Sequence, residues 1–217
     1  MTAGTAAIHR VLHADAPGDM LAEAVLRRDA WLPRFLEDAD AIPAGPRAYH
    51  SGSVLTHLAR CMNAVAGDPL AVWMALAHDA GKLTTPASLW PHHYGHELRG
   101  ESLAALWAHQ LDLPDDYARA GSMAALLHMK AGRYATLRPG KKYDLLRTVT
   151  RSGFFVPFWN VVTADTRTNI GMVAEADWQR ICSLALADMT PECARQHAIA
   201  LLKGNTMSGA YKTQSTS

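Results

Sequence analysis

Residues 70–77 read LAVWMALA, eight apolar residues in a row, and the run stops on His78 and Asp79. It is far too short for the ~20 residues a helix needs to cross a bilayer, so no membrane span is expected. A short continuous apolar stretch is a segment buried on all sides, and its alanine, leucine and methionine favour a helix over a strand. Such a segment must be enclosed by others that are apolar on one face. The rest of the chain supplies them, since apolar residues recur at helical spacing and alternating polar and apolar runs are scarce. The expected fold class is all-α.

The first helix is expected after Pro17 and Gly18, running through MLAEAVLRRDAWLPRFLED with an interruption or kink near Pro33. The segment AIPAGPRAYHSGS reads as a linker rich in Pro and Gly. Further helices are expected over 54–66, 70–80, 96–111, 115–129, 143–151, 155–168 and 175–202, with breaks at Gly67, Gly81, Pro114, Gly132, Gly153 and Gly171. These divide the chain into an N-terminal region and linker (1–49), a helical domain (50–203) and a small polar tail (204–217).

Bulk charge names no partner: 19% of residues are charged and the formal net charge is +1, ordinary values for a soluble globular protein. Cys61, Cys182 and Cys193 are widely spaced with no CxxC pair, which reads as reduced, buried thiols in a cytoplasmic protein. The N-terminus has neither a basic start nor a continuous apolar stretch, so no signal peptide is expected.

Eight of the eleven histidines lie between positions 50 and 128. Helical phase sharpens the clustering, because residues three or four apart share a face. Asp165 shares one with Phe154, Phe158, Val161 and Val162, and a carboxylate there needs a cation, either an ion-pair partner or a metal. His128 shares a face with Tyr117, Ala120, Ala124 and Leu127, as a hydrogen-bonded core residue or as a ligand. His57 borders the face of Val54, Leu58, Cys61 and Val65.

His78 and Asp79 are about 100° apart on a helix, so both approach one ion only at its end. Gly81 is expected to supply that end as a C-terminal cap. Imidazole and carboxylate suit Mn, Fe, Co, Ni or Zn, and are less typical of Mg. Lys82 is then placed to meet an anionic substrate, or serves as a cation favourably set at a helix C-terminus.

The ordered set His57, His78-Asp79, Asp165 resembles the H…HD…D signature of HD-superfamily metal-dependent phosphohydrolases. AHDAGKLTTPASLWPHHYGHELRG is similar to the HD domain of bacterial tRNA nucleotidyltransferases, the CCA-adding enzymes, over roughly residues 30–170. The glycine-rich turn and paired carboxylates of a nucleotidyltransferase head are absent here; Asp38-Ala-Asp40 has DxD spacing but ends a helix. CCA addition is therefore not expected. Tyr94 within HHYGH and the sequence after His128 depart from the related domain.

The resemblance implies an HD-domain helical bundle that hydrolyses phosphate esters of nucleotides or RNA ends: phosphomonoesters, 2′-nucleotides or 2′,3′-cyclic phosphodiesters. It implies one divalent metal on His57, His78, Asp79 and Asp165, with Lys82 adding charge beside the phosphate. A second metal through His96 and His128 is possible in this architecture; otherwise those residues bind phosphate or transfer a proton to the leaving oxygen. His50 and Arg167 are candidate substrate contacts. His92 and His93 are expected to border the cleft or lie in solvent, and Gly100 to let another element approach. Between residues 130 and 151 seven basic residues face one acid, Asp144, giving formally +6. That segment either guides a polyanionic substrate or is a solvated face. The competing readings are a non-catalytic, metal-containing RNA-binding or assembly module, and a plain helical core without metal.

Overall fold

The computed structural model describes residues 2–48, 52–184 and 190–204. Ten α-helices account for most of them: α1 (Ala3–Leu12), α2 (Pro17–Arg27), α3 (Val54–Ala64), α4 (Pro69–Ala77), α5 (His96–Gln110), α6 (Asp115–Ala131), α7 (Pro139–Ser152), α8 (Phe155–Thr166), α9 (Ile170–Cys182) and α10 (Pro191–Gly204). Among the described residues there is no β-strand, only an isolated bridge between Pro43 and Ser53. The all-α expectation holds.

The chain divides into two compact units, residues 1–129 and 130–217. In the first, α4 is the helix buried on all sides: every residue from Ala71 to Ala77 is buried. Asp68 starts it by accepting bonds from the Leu70 and Ala71 amides at 3.1 Å, with Pro69 in the first turn where no amide donor is needed. Val72, Met74 and Leu76 are each worth about 1.5–3 kcal/mol of burial, and they fix the rotation of the helix that delivers His78. Around it α3 packs on α2 and α4, and α5 packs on the 3₁₀ turn Ala80–Thr84. The Trp73 indole donates to the Tyr117 carbonyl at 2.7 Å, tying α4 to α6.

In the second unit α7 packs on α8 and α10, and α8 packs on α9. The Tyr134 hydroxyl donates to buried Asp177 at 2.9 Å, and the Lys142 ammonium lies 4.9 Å above the Tyr134 ring. Lys142 is buried and so drops out of the basic segment, whereas Arg133, Arg138, Lys141 and Arg151 are exposed.

Four local expectations change. Helix α1 precedes the helix expected to be first; Thr2 caps it and Ile8, Val11 and Leu12 bury its inner face. Helix α2 does not continue to Pro33. It stops where Arg28 turns left-handed at φ 57°, and RFL forms a separate 3₁₀ turn, because proline removes a donor and pushes the preceding residue out of the helical region. The helix expected over 175–202 is two helices, α10 beginning at Pro191 with Thr190 accepting from the Cys193 amide at 3.3 Å. Gly171 lies inside α9 rather than breaking it. The tail beyond Gly204 falls outside the described residues.

Candidate metal centre

Helix α4 ends at Ala77, and a 3₁₀ turn from Ala80 follows at once. Gly81 is not a left-handed cap: it lies within that turn and has no positive φ. Its role is close approach. A Cβ there would stand 1.9 Å from the His96 carbonyl oxygen and 2.7 Å from the Gly100 amide nitrogen. Gly100 has the packing role expected of it, since its own Cβ would meet the Gly81 nitrogen and the Ala125 Cβ at 3.1 Å. This backbone contact brings the start of α5, and with it His96, against the turn that carries Asp79 and Lys82.

Asp79 is the hub, 2% exposed. Its Oδ2 lies 3.1 Å from His57 Nε2, 3.4 Å from His78 Nε2 and 2.7 Å from Lys82 Nζ. Its Oδ1 lies 3.3 Å from His96 Nε2 and 3.4 Å from His128 Nε2, yet makes no hydrogen bond among the described residues. All four histidines are buried, His57 more deeply than a border position suggests. Burial opposes ionisation of Asp79, but the Lys82 ammonium beside it, with the surrounding histidines, outweighs that and holds its carboxyl well below the usual range.

Backbone carbonyls set the tautomers of three rings. His78 Nδ1 donates to the Ala75 carbonyl at 2.7 Å, His96 Nδ1 to the His93 carbonyl at 2.8 Å and His128 Nδ1 to the Ala125 carbonyl at 2.8 Å. The Nδ1 proton leaves each Nε2 with its lone pair directed inward. His96 Nε2 and His128 Nε2 are 3.2 Å apart. In these tautomers the two Nε2 lone pairs and Asp79 Oδ1 converge, an arrangement of donors that could hold a cation. Two nitrogens each about 2.0–2.1 Å from one ion stand about 3 Å apart at an angle near 90–100°. Asp79, His96 and His128 offer ligand atoms all within 4.8 Å of one another, and the donor set fits a divalent transition metal.

The other side of the carboxylate differs. His57, Cys61 and His78 also offer ligand atoms within 4.8 Å of one another, with His57 Nε2 at 3.1 Å from His78 Nε2. But Arg60 Nη2 donates to His57 Nδ1 at 3.2 Å, which keeps the His57 proton on Nε2, toward Asp79. For His57 to be a ligand its proton must move to Nδ1 and the guanidinium must turn away. Cys61 Sγ, 3.9 Å from His57 Nε2, is the one of the three expected buried thiols that is buried; Cys182 is exposed and Cys193 half-buried. The signal for Cys61 was there in the i, i+4 spacing from His57 on α3.

Lys82 is buried and turned onto Asp79, and it also donates to the Ala44 carbonyl at 2.8 Å. His93 Nε2 donates to the Pro43 carbonyl at 2.8 Å, leaving its buried Nδ1 without a partner among the described residues; burial lowers its pKa despite that bond. Residues 43–44 are thus part of the centre rather than a spacer. A cavity of about 300 Å³ opens beside it, lined among others by Lys82, His92, His93 and His96.

Three candidates remain. Asp165 is on α8 in the second unit, half-buried beside buried Phe158, Val161 and Val162. Arg167 is exposed at the end of α8, with φ 53°. His50 falls outside the described residues.

The chain is 35% identical over 155 residues to the multifunctional CCA protein of Chromobacterium violaceum, a match covering 67% of this chain and 38% of that protein. It is 34% identical over 158 residues to that of Alkalilimnicola ehrlichii, covering 68% and 38%. It is 30% identical over 180 residues to that of Nitrosococcus oceani, covering 78% and 44%. The matches span about two-fifths of the length of these relatives, which agree with the likeness to CCA-adding enzymes read from the sequence. No family model and no solved structure matches. Among the described residues no helix is long and apolar enough to cross a membrane.

Proposed function

We propose that this chain is a metal-dependent phosphohydrolase of the HD type, cleaving a phosphomonoester or cyclic phosphodiester of a nucleotide or RNA end. The observation that carries the reading is the buried Asp79 carboxylate, one oxygen facing His57, His78 and Lys82 and the other facing His96 and His128, beside a cavity of about 300 Å³.

In this reading Asp79 spans two ion sites. Asp79 would hold one ion with His96 and His128 and another with His57 and His78, and Asp165 would join the ligand set that the sequence pattern gives. A divalent transition metal in such a site activates water and neutralises charge at phosphorus. The protein supplies the rest. Lys82 spends two of its three N–H donors on Ala44 and Asp79, and the third is the donor for a phosphate oxygen at the cavity wall. The carbonyls of Ala75, His93 and Ala125 hold three ligand rings in the tautomer that binding requires, so no proton has to move there. The exposed arginines and lysine of the basic segment favour a second reading, an RNA-binding or assembly module that retains its ions without turnover.

The test is a hydrolysis panel with Mn, Ni or Co. Phosphomonoesters, 2′-nucleotides and 2′,3′-cyclic nucleotides are offered to the wild-type chain and to Asp79→Ala, with metal content measured on both. Hydrolysis lowered at least ~100-fold by Asp79→Ala supports the enzyme. Tight RNA binding without turnover supports the module. Absence of stoichiometric metal from protein purified without chelator rejects both.

A further inference from the structure

The loop between the 3₁₀ turn Ala80–Thr84 and α5 holds an aromatic residue without a structural task. Tyr94 is 74% exposed, and its hydroxyl makes no hydrogen bond among the described residues. Its ring lies against the His92 imidazole, centroids 5.6 Å apart and planes within 9° of parallel. A lone exposed aromatic would mean little. This one stands on the wall of the cavity that also contains Lys82, His96, Glu97 and Met129.

The backbone beneath the ring is pinned. Arg99 donates to the Tyr94 carbonyl at 2.7 Å and to the hydroxyls of Thr85 at 2.9 Å and Thr84 at 3.1 Å. One guanidinium therefore braces the Tyr94 loop against the chain that follows Asp79 and Lys82. A flat ring on a pinned backbone, with a parallel imidazole beside it, takes a planar partner at a lower ordering cost than a ring on a free loop. The volume, about 300 Å³, lies at the small end of ligand cavities, a size suited to one nucleotide and not to a duplex.

From this geometry we infer that Tyr94, backed by His92, is a stacking platform for the nucleobase of the substrate, with the phosphate at the Lys82 and His96 end of the same cavity. The inference rests on the phosphohydrolase reading for the phosphate end and adds specificity: the ligand carries an unpaired base, on a free nucleotide or at an RNA end. Stacking is tolerant of base identity because every base has a π-face.

The test measures equilibrium binding of 5′-AMP and of ribose 5-phosphate, its counterpart without the base, to the full chain and to Tyr94→Phe and Tyr94→Ala. Substituting an exposed ring leaves the core untouched. The expected result is that Tyr94→Ala weakens 5′-AMP roughly five- to a hundred-fold, the range of base–aromatic stacking. Tyr94→Phe stays within about two-fold, and ribose 5-phosphate binds all three proteins alike. Equal losses for both ligands, an unchanged 5′-AMP affinity in Tyr94→Ala, or no measurable 5′-AMP binding overturns the platform. A five-nucleotide RNA separates the sources of the base. Tyr94-dependent binding more than about tenfold tighter than 5′-AMP assigns the platform to an RNA end, and equal affinity to a free nucleotide. If the hydrolysis panel fails while Tyr94-dependent binding persists, turnover falls and the platform stands; turnover with Tyr94-independent binding has the reverse meaning.

Discussion

Gly81→Ala places one methyl group where two backbones meet. The new Cβ would lie 1.9 Å from the His96 carbonyl oxygen and 2.7 Å from both the His96 carbonyl carbon and the Gly100 nitrogen. An ordinary C–H to carbonyl contact is about 3.3–3.6 Å, so the turn and α5 must part by about 1.4 Å or more. No flexible side chain is present to yield; the atoms in the way are backbone. Overpacking typically costs about 1–3 kcal/mol, and this site belongs at the top of that range. The gain of about 0.4–1 kcal/mol that Gly→Ala brings through the unfolded state offsets part of it, leaving a net loss of about 2 kcal/mol. With a urea m-value of about 2 kcal/mol per molar, the unfolding midpoint falls by about 1 M. Because the displaced carbonyl belongs to His96 itself, bound metal measured on the folded variant falls as well. A midpoint within about 0.2 M of wild type would refute the close-approach account.

Three further outcomes follow from the same geometry. Lys82→Met leaves the Asp79 carboxylate with one cation fewer and the Ala44 carbonyl without its donor, so in chelator the chain loses about 3–5 kcal/mol in urea unfolding; adding Asp79→Asn restores part of that loss, and strictly additive effects would show that the two groups are not coupled. His128→Ala removes one of three donors from the Asp79, His96, His128 group, and elemental analysis then finds about one ion per chain fewer than in wild type; an unchanged ratio rejects that ion site. Asp68→Ala removes the acceptor for two amides at the start of α4 and costs about 1 kcal/mol without changing metal content; loss of metal from this variant would mean that the start of α4, and not only its end, controls the centre.

Sequence spacing reached the helical class because that depends on local period, whereas the grouping of His78 and Asp79 with His96 and His128 came from the resemblance to HD domains. LAVWMALA can be buried only as it is in α4, and an inward-facing His128 is a property of helical phase. What escaped depends on distance between segments. Gly81 read as a cap because a glycine after a helix usually is one; that it admits α5 could be learned only by placing His96 and Gly100 against it. Lys82 read as facing an anion; that Ala44 and Asp79 occupy two of its donors and leave one for that role is not contained in the order of residues. The split of 175–202 was visible in Pro191, a residue that starts helices and rarely sits inside them. The linker reading of AIPAGPRAYHSGS followed from its glycines and prolines, which mark irregular backbone and carry no information about where its carbonyls point.

Those carbonyls bear on how the centre comes together. Pro43 and Ala44 accept from His93 and Lys82, residues 50 and 38 positions further along the chain. Closing loops of that size is an entropic cost met only once the first unit has collapsed. Imidazoles and carboxylate can therefore be near one another before their surroundings are complete, and metal captured early would exchange readily until this irregular strip locks in place. A fragment cut at residue 50, where composition suggests a boundary, keeps the four histidines and Asp79 yet forfeits that lock. It should chelate, but with off-rates closer to those of a flexible peptide than of a folded site.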